Sequence, residues 1–322
     1  MHRLVLCFLP GLVGLILNVS TAAALDYPAR PVRLVVGFAA GGPTDILARL
    51  MGQWLSQRLN QQFIVENRPG AGSNTATELV AKAPADGYTV LVITTSNAIN
   101  TKFYRNLSFN FMQDIVPVAG LGRISYVMAV SPTLPVKSVA EFIAYCRANP
   151  GQVNFASGGV GGSNHIAGEM FKALAGIDIV HVPYRGNSAA YPDLISGRTQ
   201  LIFADLASAL ALVRSGSLKG LAVTAPKRLD ALPELPPVAE TVRGYEASAW
   251  YGFGVPRNTP PDVIDVLNRE INAGLDDPTV RQRLREMETE PLIFGPAAFQ
   301  AFMQSEAKRW GDAVEAVGVK AD

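Results

Sequence analysis

The chain has 322 residues, of which 48% are hydrophobic, and its 28 Lys and Arg nearly balance its 27 Asp and Glu. A near-neutral charge argues against a nucleic-acid-binding protein, because such proteins usually present a basic surface. It also means that selectivity for anions must come from local geometry, since the overall field is weak. A chain of about 300 residues is long enough to form two hydrophobic cores.

The first 24 residues are predicted to be a cleaved export signal. Arg3 supplies a positive charge, residues 4–19 are mostly apolar, and small residues up to Ala24 offer a cleavage site. The apolar stretch is short and is interrupted by Pro10, so it is a poor membrane span. The mature chain is therefore expected to be exported and not inserted in a membrane. It keeps 27 basic residues against 27 acidic ones.

Cysteine and histidine are scarce after the predicted signal. Cys146 is the one remaining cysteine, so an internal disulfide cannot form. His165 and His181 are the remaining histidines, which are too few for a histidine-rich zinc site. We therefore expect neither a metal nor a cofactor.

Residues 31–50 predict a strand, a glycine turn and a helix that begins with proline. In this arrangement the N–H groups of Gly41, Gly42 and Thr44 point outward at a helix N-terminus, where an anion can bind. The turn alone is equally compatible with N–H groups that meet only water or Asp45.

Two further strands, at 63–65 and 88–93, each end in a glycine- or hydroxyl-rich loop, at 67–74 and 94–97. Strands that alternate with helices predict a parallel sheet with right-handed crossovers, which brings these loops to one edge. Residues 100–122 show no clear periodicity, so we predict a packed loop and a strand that leaves the first domain.

The alternation restarts at Tyr126 and continues to residue 223. Residues 226–245 are rich in proline and cannot form a regular helix or an inner strand. Three helices are predicted after residue 260, and without a sheet of their own they are expected to pack on the first domain.

The predicted fold is therefore α/β with two lobes, each a mostly parallel sheet flanked by helices. The first lobe would comprise residues 25–124 and 247–322, and the second lobe residues 125–246. A cleft between two such lobes is a common place for a small ligand.

The loop at 157–164, with the sequence SGGVGGSN, carries four glycines and two serines before a predicted helix. Backbone amides, hydroxyls and a helix N-terminus favour ligand contact over a merely flexible connection. His165 follows this loop and is interpreted as a structural or rim residue.

Two charged residues stand at the ends of other predicted strands. Arg185 is suited to pair with a carboxylate, although it is equally compatible with the solvated surface, and Tyr184 offers a hydroxyl or a ring. Asp205 lies where a strand gives way to a helix. It either caps that helix or receives an amino group of a ligand.

Motifs for enzymatic chemistry are weak. Residues 70–75 lack the third glycine of a dinucleotide fingerprint, and neither a phosphate-binding P-loop nor a G-x-S-x-G elbow occurs. A Ser-His-Asp triad with His165 or His181 would need a tertiary arrangement that the spacing does not show. The sequence therefore argues against an enzyme.

Six motifs occur in order along nearly the whole mature chain: YPARPVR (27–33), GFAAGGPTD (37–45), ENRPGAG (66–72), PADGYT (84–89), PYRG (183–186) and LKGLAVT (218–224). On these motifs the chain resembles the Bug-type periplasmic substrate-binding proteins of the tripartite tricarboxylate transporter family. The resemblance implies the type 2-like, Venus flytrap fold of periplasmic binding proteins, in which two lobes close on a small carboxylate. It also implies main-chain contacts from the loops after the first strands, and ordered bridging waters. Ser73 and Asn74 stand where many relatives have a further glycine.

The sequence thus predicts an extracytoplasmic solute-binding protein that holds a small organic acid or amino acid in the interlobe cleft. Its partners would be the membrane permease subunits of a tripartite transporter. The alternative is a sensor that docks, when loaded, on a membrane receptor or histidine kinase. The predicted ligand-binding residues are Phe38, Ala40, Gly41, Gly42, Thr44, Asp45, Ala71, Gly72, Ser73, Thr95, Ser96, Ser157, Gly158, Gly161, Ser163, His165, Tyr184, Arg185, Gly186 and Asp205.

Overall fold

The computed structural model describes residues 27–318, so the predicted export signal lies outside the described residues. Within that range the strands are β1 (Val32–Val36), β2 (Phe63–Asn67), β3 (Thr89–Thr94), β4 (Ile115–Val130), β5 (Asn154–Ser157), β6 (Val180–Pro183), β7 (Leu201–Asp205), β8 (Lys219–Val223), β9 (Ser248–Pro256) and β10 (Thr289–Pro291). The helices are α1 (Pro43–Leu59), α2 (Asn74–Ala81), α3 (Thr95–Phe103), α4 (Phe111–Asp114), α5 (Val139–Ala148), α6 (Ser163–Ala175), α7 (Asn187–Ser196), α8 (Leu206–Arg214), α9 (Pro261–Asp276), α10 (Pro278–Glu286) and α11 (Pro296–Val317).

The strands follow the order β2-β1-β3-β9-β4-β7-β5-β6, and both β8 and β10 pair with β4. The pairs β1–β2, β1–β3, β5–β6 and β5–β7 are parallel, as the strand–helix alternation predicts. The pairs that involve β4 or β9 are antiparallel. The sheet is therefore mixed, because β4 and β9 connect the two halves of the molecule instead of repeating the strand–helix unit.

The long strand β4 is shared between two halves. Its residues 115–125 pair with β9, whereas residues 126–130 pair with β7 and β8. One half thus contains β1, β2, β3, β9 and β10, and the other contains β5 to β8. We refer to them as the first and the second half.

The central strands have continuous apolar sequences because they are buried on both faces. All six residues of β3 and all nine of β9 are buried, since helices cover both faces of the sheet there. Helix α9 packs against α1, where the Trp54 indole N–H donates to the Glu270 carbonyl at 2.8 Å, and α11 packs against α3. The C-terminal helices thus cover the first half.

Helix α3 is an element that the sequence prediction missed. Residues 94–97 were expected to form a loop, and residues 100–122 a packed loop and a strand, but 95–103 are helical. The Thr94 N–H donates to Asn97 Oδ1 at 2.7 Å in a capping box. Residues 95–100 are all buried, and they include polar as well as apolar side chains. The sequence therefore shows no apolar face that would predict a helix.

Candidate functional site

A cavity of about 360 Å³ lies between the loops of the two halves, and we call it the cleft cavity. Its size is within the range of small-molecule sites. It is lined by Phe38, Ala39, Ala40, Gly42, Pro43, Thr44, Thr94, Ser96, Gly158, Gly162, Ser163, Asn164, Arg185, Gly186, Asn187, Ser188, Ala189, Asp205, Ala249 and Tyr251.

Five helices have their N-terminus at the cleft cavity. In each of them, residues at the N-cap or in the first turn line the cavity. These helices are α1 and α3 from the first half and α6, α7 and α8 from the second. Each helix N-terminus carries partial positive charge from unpaired N–H groups. The cavity is thus suited to an anion although the chain as a whole is nearly neutral.

The turn between β1 and α1 forms the wall from the first half. Gly41 has φ +80°, and its N–H donates to Asp45 Oδ2 at 3.0 Å. The Asp45 carboxylate also accepts hydrogen bonds from Arg49 at 2.9 Å and from Asn67 at 3.0 Å. Burial alone would raise the pKa of Asp45, but these hydrogen bonds hold it below its ordinary value.

This arrangement explains why Gly41 and Asp45 do not line the cavity. Asp45 holds the turn together and uses the Gly41 N–H to do so. Within residues 27–318, the N–H groups of Gly42 and Thr44 have no protein acceptor. The predicted anion site is thereby reduced from three amides to these two.

A chain of polar side chains forms the wall from the second half. Asn164 Nδ2 donates to Asn187 Oδ1 at 2.5 Å, and Asn187 Nδ2 donates to Asp205 Oδ2. The Tyr251 hydroxyl donates to Asp205 Oδ1 at 3.0 Å, although Tyr251 belongs to β9. The network therefore links α6, α7, β7 and β9 around one carboxylate.

Asp205 is a buried acid at the cleft cavity, with 6% of its surface exposed. Burial raises its pKa to about 6, although the hydrogen bonds from Tyr251 and Asn187 act in the opposite direction. It stands at the N-cap of α8, but its side chain makes no capping hydrogen bond. Asp205 thus occupies the predicted N-cap position, but its side chain does not cap the helix.

The two halves also touch each other across the cleft. The Ser163 N–H of α6 donates to Ser96 Oγ of α3 at 3.2 Å. Next to this contact, the Tyr126 hydroxyl donates to Ser163 Oγ at 2.6 Å. A Cβ added at Gly161 would lie 2.7 Å from Asn100 Oδ1, so only glycine permits this close approach. The structure therefore shows the halves closed on each other.

A second space, which we call the outer recess, adjoins the cleft cavity. Phe38, Gly158 and Arg185 line both spaces. The outer recess is otherwise lined by Gly37, Pro69, Gly70, Ala71, Gly72, Gly159, Val160, Pro183 and Tyr184.

The predicted site residues fall into three groups. Ten line the cleft cavity: Phe38, Ala40, Gly42, Thr44, Ser96, Gly158, Ser163, Arg185, Gly186 and Asp205. Ala71, Gly72 and Tyr184 line only the outer recess. Seven line neither space: Gly41, Asp45, Ser73, Thr95, Ser157, Gly161 and His165.

Ser73 and Thr95 are excluded from the cavity by packing. Ser73 is fully buried beneath Gly37, where an added Cβ would lie 2.0 Å from Ser73 Oγ. Thr95 is also buried, and its Oγ1 accepts a hydrogen bond from the Trp250 N–H at 2.7 Å. Ser73 thus contributes to the packing behind the turn and not to the cavity wall.

Ser157 and His165 belong to a buried cluster behind the glycine loop. The His165 and His181 rings stack with centroids 3.8 Å apart, and Ser157 Oγ lies 2.6 Å from His181 Nε2. Burial lowers the pKa of His165 to about 3 and that of His181 to about 4, so both rings are neutral near pH 7. Among the described residues no carboxylate pairs with His181, so a Ser-His-Asp triad is not formed there.

Sequence reasoning missed five polar residues of the cavity: Thr94, Asn164, Asn187, Ser188 and Tyr251. Asn164 and Asn187 stand in the first turns of helices, where asparagine usually indicates only a cap. Tyr251 lies within an apolar strand that reads as pure core. A polar residue at a predicted helix start, or within a predicted strand, is too common in sequences to identify a site.

Two general features complete the description of residues 27–318. In this part of the chain no helix is long and apolar enough to cross a bilayer. The same residues contain no group of three or more His, Cys, Asp and Glu side chains arranged to hold a metal ion.

Comparisons with known proteins identify the family. Residues 47–319 match the model described as "Tripartite tricarboxylate transporter family receptor". BugT of Bordetella pertussis is 34% identical over 306 residues, which cover 94% of this chain and 93% of BugT.

Solved structures agree with this match. The structure of R. palustris Rpa4515 with adipate has a TM-score of 0.89 and 37% identity, covering 92% of this chain and 99% of that chain. MatC from Rhodopseudomonas palustris with bound malate has a TM-score of 0.84 and 29% identity, and the match covers 89% of this chain and 100% of MatC. The predicted two-lobed α/β fold of periplasmic binding proteins is thereby confirmed. The chain belongs to the tripartite tricarboxylate transporter receptor family and is of the Bug type.

Proposed function

We propose that this protein is an exported receptor that binds a small carboxylate in the cleft cavity and delivers it to the membrane subunits of a tripartite tricarboxylate transporter. The observation that carries the proposal is the convergence of five helix N-termini on one cavity. The family membership and the relatives solved with adipate and malate support the same ligand class.

The proposal includes the lobe boundaries predicted from the sequence. The change of partner along β4, from β9 to β7 and β8 at Ser125–Tyr126, supports a boundary near residue 124. The start of β9 at Ser248 supports the second boundary near residue 247. The ligand would then be held by 25–124 with 247–322 on one side and by 125–246 on the other.

We further propose that the protein binds its ligand without converting it. Among residues 27–318, those that line the cleft cavity include no cysteine, histidine or lysine, and no basic side chain or carboxylate is hydrogen-bonded to its serines. The Ser157–His181 pair lies behind the glycine loop and lines neither space. Ligand recognition therefore needs only hydrogen bonds and charge.

The proposed function is tested with the protein purified from the periplasm. Native mass spectrometry would identify a co-purified small molecule, and thermal unfolding would then be measured with adipate, malate and a panel of amino acids. We expect at least one carboxylate to raise the melting temperature and to remain unchanged in NMR spectra over hours. Conversion of the probe, or no stabilisation by any carboxylate, would contradict the proposal.

Arg185 is expected to make only a small contribution to affinity. Its side chain is exposed, and among residues 27–318 it has neither an ion pair nor a hydrogen-bond partner. The helix N-termini already supply partial positive charge, so Arg185→Gln should keep the affinity within about tenfold, or about 1.4 kcal/mol. Calorimetry with the tightest-binding carboxylate checks this. A loss of more than about a hundredfold, or about 2.7 kcal/mol, would show that a direct ion pair dominates.

A further inference from the structure

Among residues 27–318, Asp205 is the one acidic residue that lines the cleft cavity. It is buried, and its side-chain partners among residues 27–318 are the neutral groups of Tyr251 and Asn187. No Lys, Arg or His of the described residues forms an ion pair with it. A buried charge without a counter-charge is unusual, because taking it out of water costs several kcal/mol.

A role as a helix cap does not explain this carboxylate. Asp205 occupies the N-cap position of α8, yet its side chain makes no hydrogen bond to the helix. Oδ1 accepts a hydrogen bond from Tyr251 and Oδ2 accepts one from Asn187, and the carboxylate also accepts one from the Asp205 backbone N–H. The two oxygens have about four lone pairs in all, so the carboxylate can accept a further hydrogen bond from the cavity side.

The other charged side chain of the cleft cavity is Arg185. Together with the N–H groups of Gly42 and Thr44, it makes the cavity attractive to a carboxylate. Asp205 makes the same cavity attractive to a cation and repels a second carboxylate. The complementary ligand therefore carries one negative and one positive group.

We propose that Asp205 determines specificity by accepting hydrogen bonds from a ligand ammonium group, so that this receptor selects amino acids over dicarboxylates. The inference rests on the proposed function, because it assumes that a carboxylate binds in the cleft cavity. It goes beyond that function by naming the ligand class and the residue that selects it. It also gives this chain a different ligand preference from that of the relatives solved with the dicarboxylates adipate and malate.

The test compares probes that differ in one group. 5-Aminopentanoate and adipate share a carboxylate and a chain of methylene groups, and they differ in an ammonium or a second carboxylate at the far end. L-Norleucine and hexanoate differ only in the α-ammonium group. We expect calorimetry at pH 7.5 on ligand-free protein to show at least tenfold tighter binding of the ammonium member of at least one pair.

The variant Asp205→Asn removes the charge and keeps the size of the side chain. It should weaken binding of the preferred amino acid at least tenfold and strengthen binding of adipate. The matched control is Asp265→Asn, which makes the same charge change at an exposed position of α9 outside the cavity, and it should leave both affinities unchanged.

A measurement on the unmodified protein makes the test independent of how Asp205→Asn folds. The titratable groups that face Asp205 are Tyr126 on β4, Tyr191 on α7 and Tyr251 on β9. Burial raises the pKa of all three, so they stay neutral near pH 6. Binding of an ammonium ligand at pH 6 should therefore release a proton from Asp205, which calorimetry in buffers of different ionisation enthalpy detects.

Each outcome has one meaning. If adipate binds the unmodified protein more tightly than 5-aminopentanoate and L-norleucine, or if Asp205→Asn leaves the preference unchanged, the inference is overturned and the proposed function stands. If proton release is absent at pH 6, the contact between Asp205 and the ammonium group is likewise refuted. If neither dicarboxylates nor amino acids bind, the proposed function itself fails.

Discussion

Replacing Gly42 with valine should weaken carboxylate binding at least about a hundredfold, or about 2.7 kcal/mol, and leave the fold intact. Gly42 lines the cleft cavity at the N-terminus of α1, so a branched side chain would occupy space that we assign to the ligand. The backbone permits the change, because φ is −84° and ψ is 169°. An added Cβ would meet no atom closer than the Ala39 carbonyl oxygen at 3.6 Å.

Gly295→Val is the matched control for this prediction. Gly295 also stands at an N-cap followed by proline, that of α11, with φ −70° and ψ 163°. An added Cβ there meets nothing within 4 Å, and the residue does not line the cavity. Both variants should melt within a few degrees of the unmodified protein, and only Gly42→Val should lose binding by calorimetry. Unchanged affinity in Gly42→Val would remove this turn from the ligand site.

Elements with a strong local signal could be predicted from the sequence. The unit of β1, the glycine turn and α1 was expected within residues 31–50, and it spans Val32 to Leu59 with proline at the first helical position. This succeeds because the apolar strand, the glycines and the proline act on neighbouring residues. Helix α3 escaped prediction because residues 95–100 are buried whether polar or apolar, so the apolar periodicity that marks a surface helix is absent.

The cavity could be predicted only in part, because its polar network is built from distant segments. Asp205 was expected at a strand end, but its partners Asn187 and Tyr251 lie on α7 and β9. The pairing of β4 with both β7 and β9 brings these segments together. Nothing in the local sequence around Tyr251 encodes that arrangement, whereas the helix starts at Gly42 and Ser163 have their own glycine signals.

The position of Asp45 shows how one local pattern can support two structures. An acidic residue in the first turn of a helix suits the helix dipole, and the sequence left open whether the turn binds a ligand or its own carboxylate. In the structure Asp45 accepts the hydrogen bond from the Gly41 N–H, while Gly42 and Thr44 line the cavity and their N–H groups have no protein acceptor among residues 27–318. Arg49 of α1 and Asn67 of β2 donate hydrogen bonds to Asp45 and so hold its carboxylate against the turn.

Lowering the pH from 7 to 5 should destabilise the protein through the stacked pair His165 and His181. Both rings have a folded-state pKa of about 3 to 4, against an ordinary value of 6.5. The unfolded chain therefore binds more protons in this range, and the stability present above about pH 6.5 is lost as the pH falls toward 4. For the pair we expect a loss of about 3 kcal/mol by pH 5, after allowing for solvent screening at the half-buried His181.

The contribution of the histidines is isolated by comparing pH 7 and pH 5 in urea unfolding of matched variants. His181→Gln keeps an amide near Ser157 Oγ, and His165→Asn keeps an acceptor for the Gly161 N–H, which His165 Nδ1 accepts at 3.3 Å. Asp205 acts in the opposite direction, because its raised pKa means that protonation below about pH 6 favours the folded state. This opposing effect is present in the unmodified protein and in both variants, so it cancels in the difference. The double variant should lose less stability between pH 7 and 5 than the unmodified protein, and an equal loss would show that another group carries the acid sensitivity.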